Sequence, residues 1–77
     1  MSLGEQIRNQ RKARGWTQQA LAHALHRKRT TILAYEHGVI TPPLAIVRRL
    51  ALLFECPMAL LLGEEPEPAP TLRDPDP

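Results

Sequence analysis

Arg27, Lys28 and Arg29 stand in a row and are followed at once by two hydroxyls, Thr30 and Thr31. Such a run is suited to a polyanion. Ammonium and guanidinium groups meet phosphates, an arginine fork can chelate guanine O6 and N7, and a threonine methyl can meet the methyl of thymine. The bland alternative is a solvated basic turn. Ten residues upstream, Thr17-Gln18 forms a second polar pair. If it opens a helix, its free backbone N–H groups also suit a phosphate.

Other reactive types are sparse. His23 and His26 are spaced to share a helical face, with His37 a conceivable third ligand, but no cysteine or acid is placed to complete a four-ligand set. No metal or cofactor is therefore expected. Cys56 is the one cysteine, which excludes an internal disulfide framework, and its apolar neighbours mark it as a small core residue. Through residue 62 the acids are Glu5, Glu36 and Glu55, and no spacing suggests a nucleophile–base pair or a glycine-rich phosphate loop. An enzyme is not expected.

The elements that must present these residues read as helices. Apolar residues recur at helical spacing and nowhere alternate cleanly. Leu3, Ile7 and Ala13 mark a first helix ending at Gly15. Thr17 caps a second, with Ala20, Leu21, Ala24 and Leu25 on one face. A break at His26-Arg27 leads to a third helix over about 28–37, with Ile32 and Tyr35 inward and Gly38 as its stop. Pro42 and Pro43 suit the first turn of a fourth helix reaching about Glu55, and Pro57 opens a short fifth one ending at Gly63. Two helices joined by a tight turn, the second rich in donors at its start, form a helix-turn-helix over 18–37.

Charge and hydropathy divide the chain further. The net charge of +2 over 77 residues conceals nine basic and three acidic residues in 1–62, a net of +6. The segment after Gly63 holds five acids, one arginine and five of the eight prolines, a net of −4. Residues 1–62 are thus expected as one folded domain and 63–77 as a disordered or extended tail. Segment 44–62 is apolar at fifteen of nineteen places, yet Arg48, Arg49, Glu55 and Pro57 break it into runs of at most five. A membrane span wants about 18 or more. Leu44, Val47, Leu50, Ala51 and Phe54 make an inward stripe, which leaves Ile46, Leu53, Met58 and Leu62 for a second core face or a seam with a second copy; the seam is favoured. Charged residues from Glu5 onward do not fit a signal peptide, so a cytoplasmic, nucleoid-associated setting is expected.

The runs GWTQQALA (15–22) and TTILAYEHG (30–38), followed by Pro42, resemble the Cro/cI-type helix-turn-helix regulators, also called the xenobiotic-response-element family. The similarity covers about residues 3–62. It implies an all-α, five-helix, lambda-repressor-like bundle that binds double-stranded DNA as a homodimer on a palindromic operator. Small phage repressors and restriction–modification controllers are stand-alone bodies of this kind. By the same resemblance Thr17 and Gln18 contact phosphate, and Gln18 also braces the third helix. Arg29, Thr30 and Ala34 read base edges beside Arg27 and Lys28, and His37 and Thr41 lie near the backbone. Arg11 and Glu36 form an ion pair tying the first helix to the third.

This chain departs from the family pattern at several places. His26 stands where glycine is usual, at a turn that tends to need positive φ, a region in which histidine is enriched. Arg27 stands at an apolar place, where its stem is expected to cover the core. Gln10 replaces an apolar residue, and Lys28 replaces a hydroxyl cap. Arg14 is expected to be solvated and Trp16 to lie in the core. An alternative on the same fold is the antitoxin half of a toxin–antitoxin pair, its acidic tail ordering on a small basic protein partner.

Overall fold

Ser2 starts the first helix. Its hydroxyl accepts the Glu5 N–H at 3.2 Å, while the Glu5 carboxylate accepts the Ser2 N–H at 3.0 Å. This reciprocal capping box satisfies two of the donors a helix start leaves unpaired. The N–H bond from Ser2 also holds the Glu5 carboxyl below its usual range. In the computed structural model, which describes residues 2–63, five helices follow in order: α1 Leu3–Ala13, α2 Gln18–Leu25, α3 Arg29–His37, α4 Leu44–Phe54 and α5 Met58–Leu61. No strand occurs among the described residues. The tail expected over 63–77 lies, from residue 64, outside them.

Four of the helices stop in the same way. In each, a residue in the left-handed region lets two backbone N–H groups turn back onto the last carbonyls. Gly15 (φ 72°) and Gly38 (φ 77°) do this after α1 and α3. The other two are not glycines: His26 (φ 56°) after α2 and Glu55 (φ 53°) after α4. The left-handed turn expected at His26 is present; the one at Glu55 carries no sequence signal, because glutamate is an ordinary helix former.

The core is assembled from one stripe per helix. Ile7, Leu21, Leu25, Ile32, Leu50, Phe54 and Leu61 are fully buried. Helices α1 and α2 pack on α3, and α4 and α5 close the bundle against α1 and α2. Ala22 is fully buried and lets α2 approach its neighbours; on the same helix Ala20 and Ala24, expected inward, face solvent. The reason is rotational: with Leu21 and Leu25 inward, burial extends to Ala22, not to the residues before them.

Helix α4 is likewise rotated from the expected stripe. Ile46 is 3% exposed and belongs to the core, whereas Leu44 is 59% exposed. Ile46 therefore cannot serve as a seam residue between copies. Pro42 and Pro43 precede the helix, Pro43 being its cap, so Leu44 falls at the exposed start and Ile46, Val47, Leu50, Ala51 and Phe54 turn inward. Leu53 and Met58 pack partly on the core and Leu62 is exposed. No helix among the described residues is long and apolar enough to cross a membrane.

Two contacts fasten α1. Gly4 sits against the end of α3, where an added Cβ would lie 2.5 Å from the carbonyl oxygens of both Tyr35 and Glu36. At the other end, the Arg14 guanidinium lies over the Phe54 ring at 5.1 Å and the Trp16 ring at 6.0 Å, with the two rings stacked at 5.7 Å. Arg14 also donates to the Phe54 carbonyl and to the Gln10 side chain, the latter at 2.8 Å. The polar Gln10 is thus the partner of Arg14, which is structural and not merely solvated. Cys56 is half-buried beside this cluster, and burial pushes its thiol pKa up, consistent with an inert packing residue. Gly4→Ala must push two backbone carbonyls aside and is expected to cost about 1–3 kcal/mol; urea unfolding measures it, and an unchanged midpoint would show that the α1–α3 approach is loose.

Candidate nucleic-acid interface

Arg11 and Glu36 are 25 residues apart, yet both are buried, at 8% and 7% exposure. Arg11 Nε donates to Glu36 Oε2 at 2.7 Å and Nη2 to Oε1 at 3.2 Å, a forked pair. Arg11 Nη1 donates to the Trp16 carbonyl at 2.8 Å, and Gln18 Nε2 donates to Glu36 Oε1 at 3.1 Å. One carboxylate on α3 therefore fixes α1, the α1–α2 connection and the first residue of α2. Charge-assisted, bidentate bonds of this kind combine strength with directional precision. The Arg11–Glu36 ion pair and the bracing of α3 by Gln18 are both present in this geometry.

Thr17 caps α2, its hydroxyl accepting the Ala20 N–H at 3.0 Å. The N–H groups of the first turn keep the polarity that attracts anions. Across the turn, Arg27, Lys28, Arg29 and Thr30 are all exposed. Lys28 occupies the cap of α3 without a side-chain cap bond, so its ammonium is not drawn back onto the helix. Arg27 does not cover the core as expected. It is exposed, and its Nη1 donates to the His26 carbonyl at 3.2 Å. The left-handed His26 turns the chain outward at that point, so the stem points away from the bundle.

Along α3, Ile32, Tyr35 and Glu36 face inward, which leaves Arg29, Thr30, Leu33 and His37 outward and Ala34 half-buried. Thr41 is exposed in the following loop. The DNA-contact residues expected from sequence thus lie on two adjacent stretches, the start of α2 and the outer side of the turn and α3. His23, His26 and His37 do not converge: among the described residues no group of three or more metal-binding side chains is present. Sequence reasoning did not single out Gly4, the Gln10–Arg14–Phe54 contacts or the Arg11 bond to the Trp16 carbonyl. Glycine inside a helical run was a signal for the first; Arg14 and Gln10 stand one helical turn apart on α1, a second available signal, whereas the Arg14–Phe54 contact joins residues 40 apart.

A sequence model of the helix-turn-helix domain matches residues 2–62, nearly the whole described body. The chain belongs to the helix-turn-helix domain family. Among solved structures, this helix-turn-helix chain is similar to the restriction-modification controller protein C.AhdI from Aeromonas hydrophila. The two are 25% identical, with a TM-score of 0.72 over 78% of this chain and 91% of that one. No curated protein matches the sequence. The family and the fold are those of a DNA-binding transcriptional regulator.

Two outcomes follow from the helix-turn-helix geometry. Arg11→Met leaves Glu36 buried without its cation and is expected to cost about 3–5 kcal/mol, most of which the double variant with Glu36→Met regains; denaturant unfolding of the three proteins tests this, and equal losses in the single and double variants would contradict it. His26→Gly removes a left-handed penalty of about 1–2 kcal/mol against a smaller entropic cost. It should raise stability by up to about 1 kcal/mol, and a lowered thermal midpoint would show that the histidine side chain itself holds the turn.

Proposed function

We propose that the chain is a sequence-specific regulator that binds a palindromic operator as a homodimer, of the phage-repressor or restriction–modification-controller type. The observation that carries this reading is the outward cluster Arg27-Lys28-Arg29-Thr30 at the start of α3, held in register by the buried Glu36. Helix α3 enters the major groove from its N-terminal end, where Arg29 reaches guanine and Thr30 and Ala34 offer methyl groups to thymine. Lys28 and Arg27 meet the flanking phosphates. Thr17 and the Gln18 backbone at the start of α2 bind a phosphate across the groove, with His37 and Thr41 near the backbone beyond α3. The exposed Leu33 adds an apolar contact on the reading face.

The dimer seam runs over α4 and α5. Leu53, Met58 and Leu62 contribute to it, and the exposed Leu52 and Leu60 replace the buried Ile46. Leu52, Leu53, Ala24 and Arg49 line a groove of about 210 Å³ on this side. Leu52 is 73% exposed, a large apolar surface for a body this small, and pairing two copies would cover it. Similarity to a restriction-modification controller supports the controller-type regulator reading.

Selection from random duplex DNA, followed by titration of the selected site, tests the proposal. The expected site has two-fold symmetric halves about one helical turn (~34 Å) apart. Affinity should fall by on the order of 10³-fold between 50 and 200 mM salt for six or more phosphate contacts. Arg29→Ala should cost about 1–3 kcal/mol and relax the preference at one base pair. Unselected sequences with no symmetry, or an Arg29→Ala protein that binds as well as the parent, would overturn it.

A further inference from the structure

Among the described residues no carboxylate pairs with the basic cluster at the turn. Among the described residues the acids are Glu5, Glu36 and Glu55. Glu5 is engaged by Ser2, and Glu36 by Arg11 and Gln18. Glu55 closes α4, and the single salt bridge among the described residues is Arg11–Glu36. Arg27, Lys28 and Arg29 are exposed, and Arg27 bonds only a backbone carbonyl. The carboxylates that could meet them lie in residues 64–77, where Glu64, Glu65, Glu67, Asp74 and Asp76 outweigh Arg73. That segment leaves the body directly after α5. Its fourteen residues have a contour of about 46–50 Å when extended. A folded body of this length has a radius of gyration of about 11 Å, so the turn lies within reach.

We infer that segment 64–77 is an intramolecular competitor for the DNA-reading cations, its carboxylates occupying Arg27, Lys28 and Arg29 when no operator is bound. The inference rests on the DNA-binding reading above. Tethering gives the acids a high effective concentration at the cluster without any need for a tight contact. A duplex must then displace them before it gains those three contacts. Operator and random duplexes need the same three cations, so at equilibrium both are discounted by the same factor, the fraction of chains whose cluster is free. The acidic segment thereby weakens DNA binding as a whole and leaves the ratio of specific to non-specific affinity unchanged.

The test compares the full chain with a variant carrying E64Q, E65Q, E67Q, D74N and D76N, which leaves the folded body untouched. Binding of a random-sequence duplex is followed by fluorescence anisotropy between 50 and 200 mM salt. Each cation freed for phosphate adds about 0.9 to the slope of log affinity against log salt. Releasing three cations should steepen the slope by about 2.7, an advantage of up to roughly 40-fold at 50 mM relative to 200 mM. Operator affinity should rise by a similar factor at each salt concentration. In the DNA-free protein, the variant should shift the backbone amide signals of residues 27–30. In a background of R27A, K28A and R29A, neutralising the acids should have no effect on residual DNA binding. Equal slopes for parent and variant, or amide shifts confined to other faces, would overturn the inference. If neither protein binds any duplex, the DNA-binding reading fails instead, and the amide shifts alone decide whether the acidic segment contacts the turn.

Discussion

Glu36 is the carboxylate on which the arrangement depends. It is almost inaccessible to water, and a charge in that position is tolerated only because three donors converge on it: two from Arg11 and one from Gln18. The two donor residues belong to different parts of the chain. Arg11 comes from α1 and Gln18 from the start of α2, while Arg11 also holds the Trp16 carbonyl between them. The orientation of α3 relative to α2 is therefore set by hydrogen-bond geometry and not only by apolar packing, which is non-directional. A DNA-reading helix needs that directional constraint, because base edges are recognised within a few tenths of an ångström.

The rest of the body is built around this node with little material to spare. Seven large side chains and Ala22 fill the fully buried core. Where apolar volume is short, cation–aromatic stacking fills the gap: Arg14 lies on Phe54 and Trp16 and is held there by Gln10. Gly4 allows α1 to touch the last carbonyls of α3, which brings Arg11 within reach of Glu36 two turns further along. Left-handed residues follow all five helices within a short chain, Gly63 (φ 78°) after α5 included, and keep the connections brief. Two of them, His26 and Glu55, accept backbone strain in return for tight turns.

Exposure at the turn has a consequence for charge. The buried pair uses the acid that could have neutralised the basic cluster, so the reading surface keeps its positive potential. Long-range attraction to DNA comes from that surplus. The same surplus makes the surface indiscriminate toward any polyanion, and a chain that carries its own carboxylates beyond Gly63 holds the means to temper it.

Much of this was legible before any coordinates. Helical spacing, the hydroxyl cap at Thr17, the stop at Gly38 and the cations at 27–29 are local properties, dictated by backbone sterics and side-chain chemistry, and they determined five helices and the position of the reading helix. The resemblance to Cro/cI-type regulators pointed to Arg11 and Glu36 as partners across 25 residues and to Gln18 as a brace of α3, but not to the fork geometry or to Glu36 as the group that Gln18 bonds. Tertiary packing alone decided which way the helices are rotated. Ile46 turned inward and Leu44 outward because a helix apolar on nearly every side has no unique inward face until its neighbours choose one. It also decided that Arg14 stacks on rings and that Arg27 stands free of the core, since both outcomes depend on which residues arrive beside them from elsewhere in the chain.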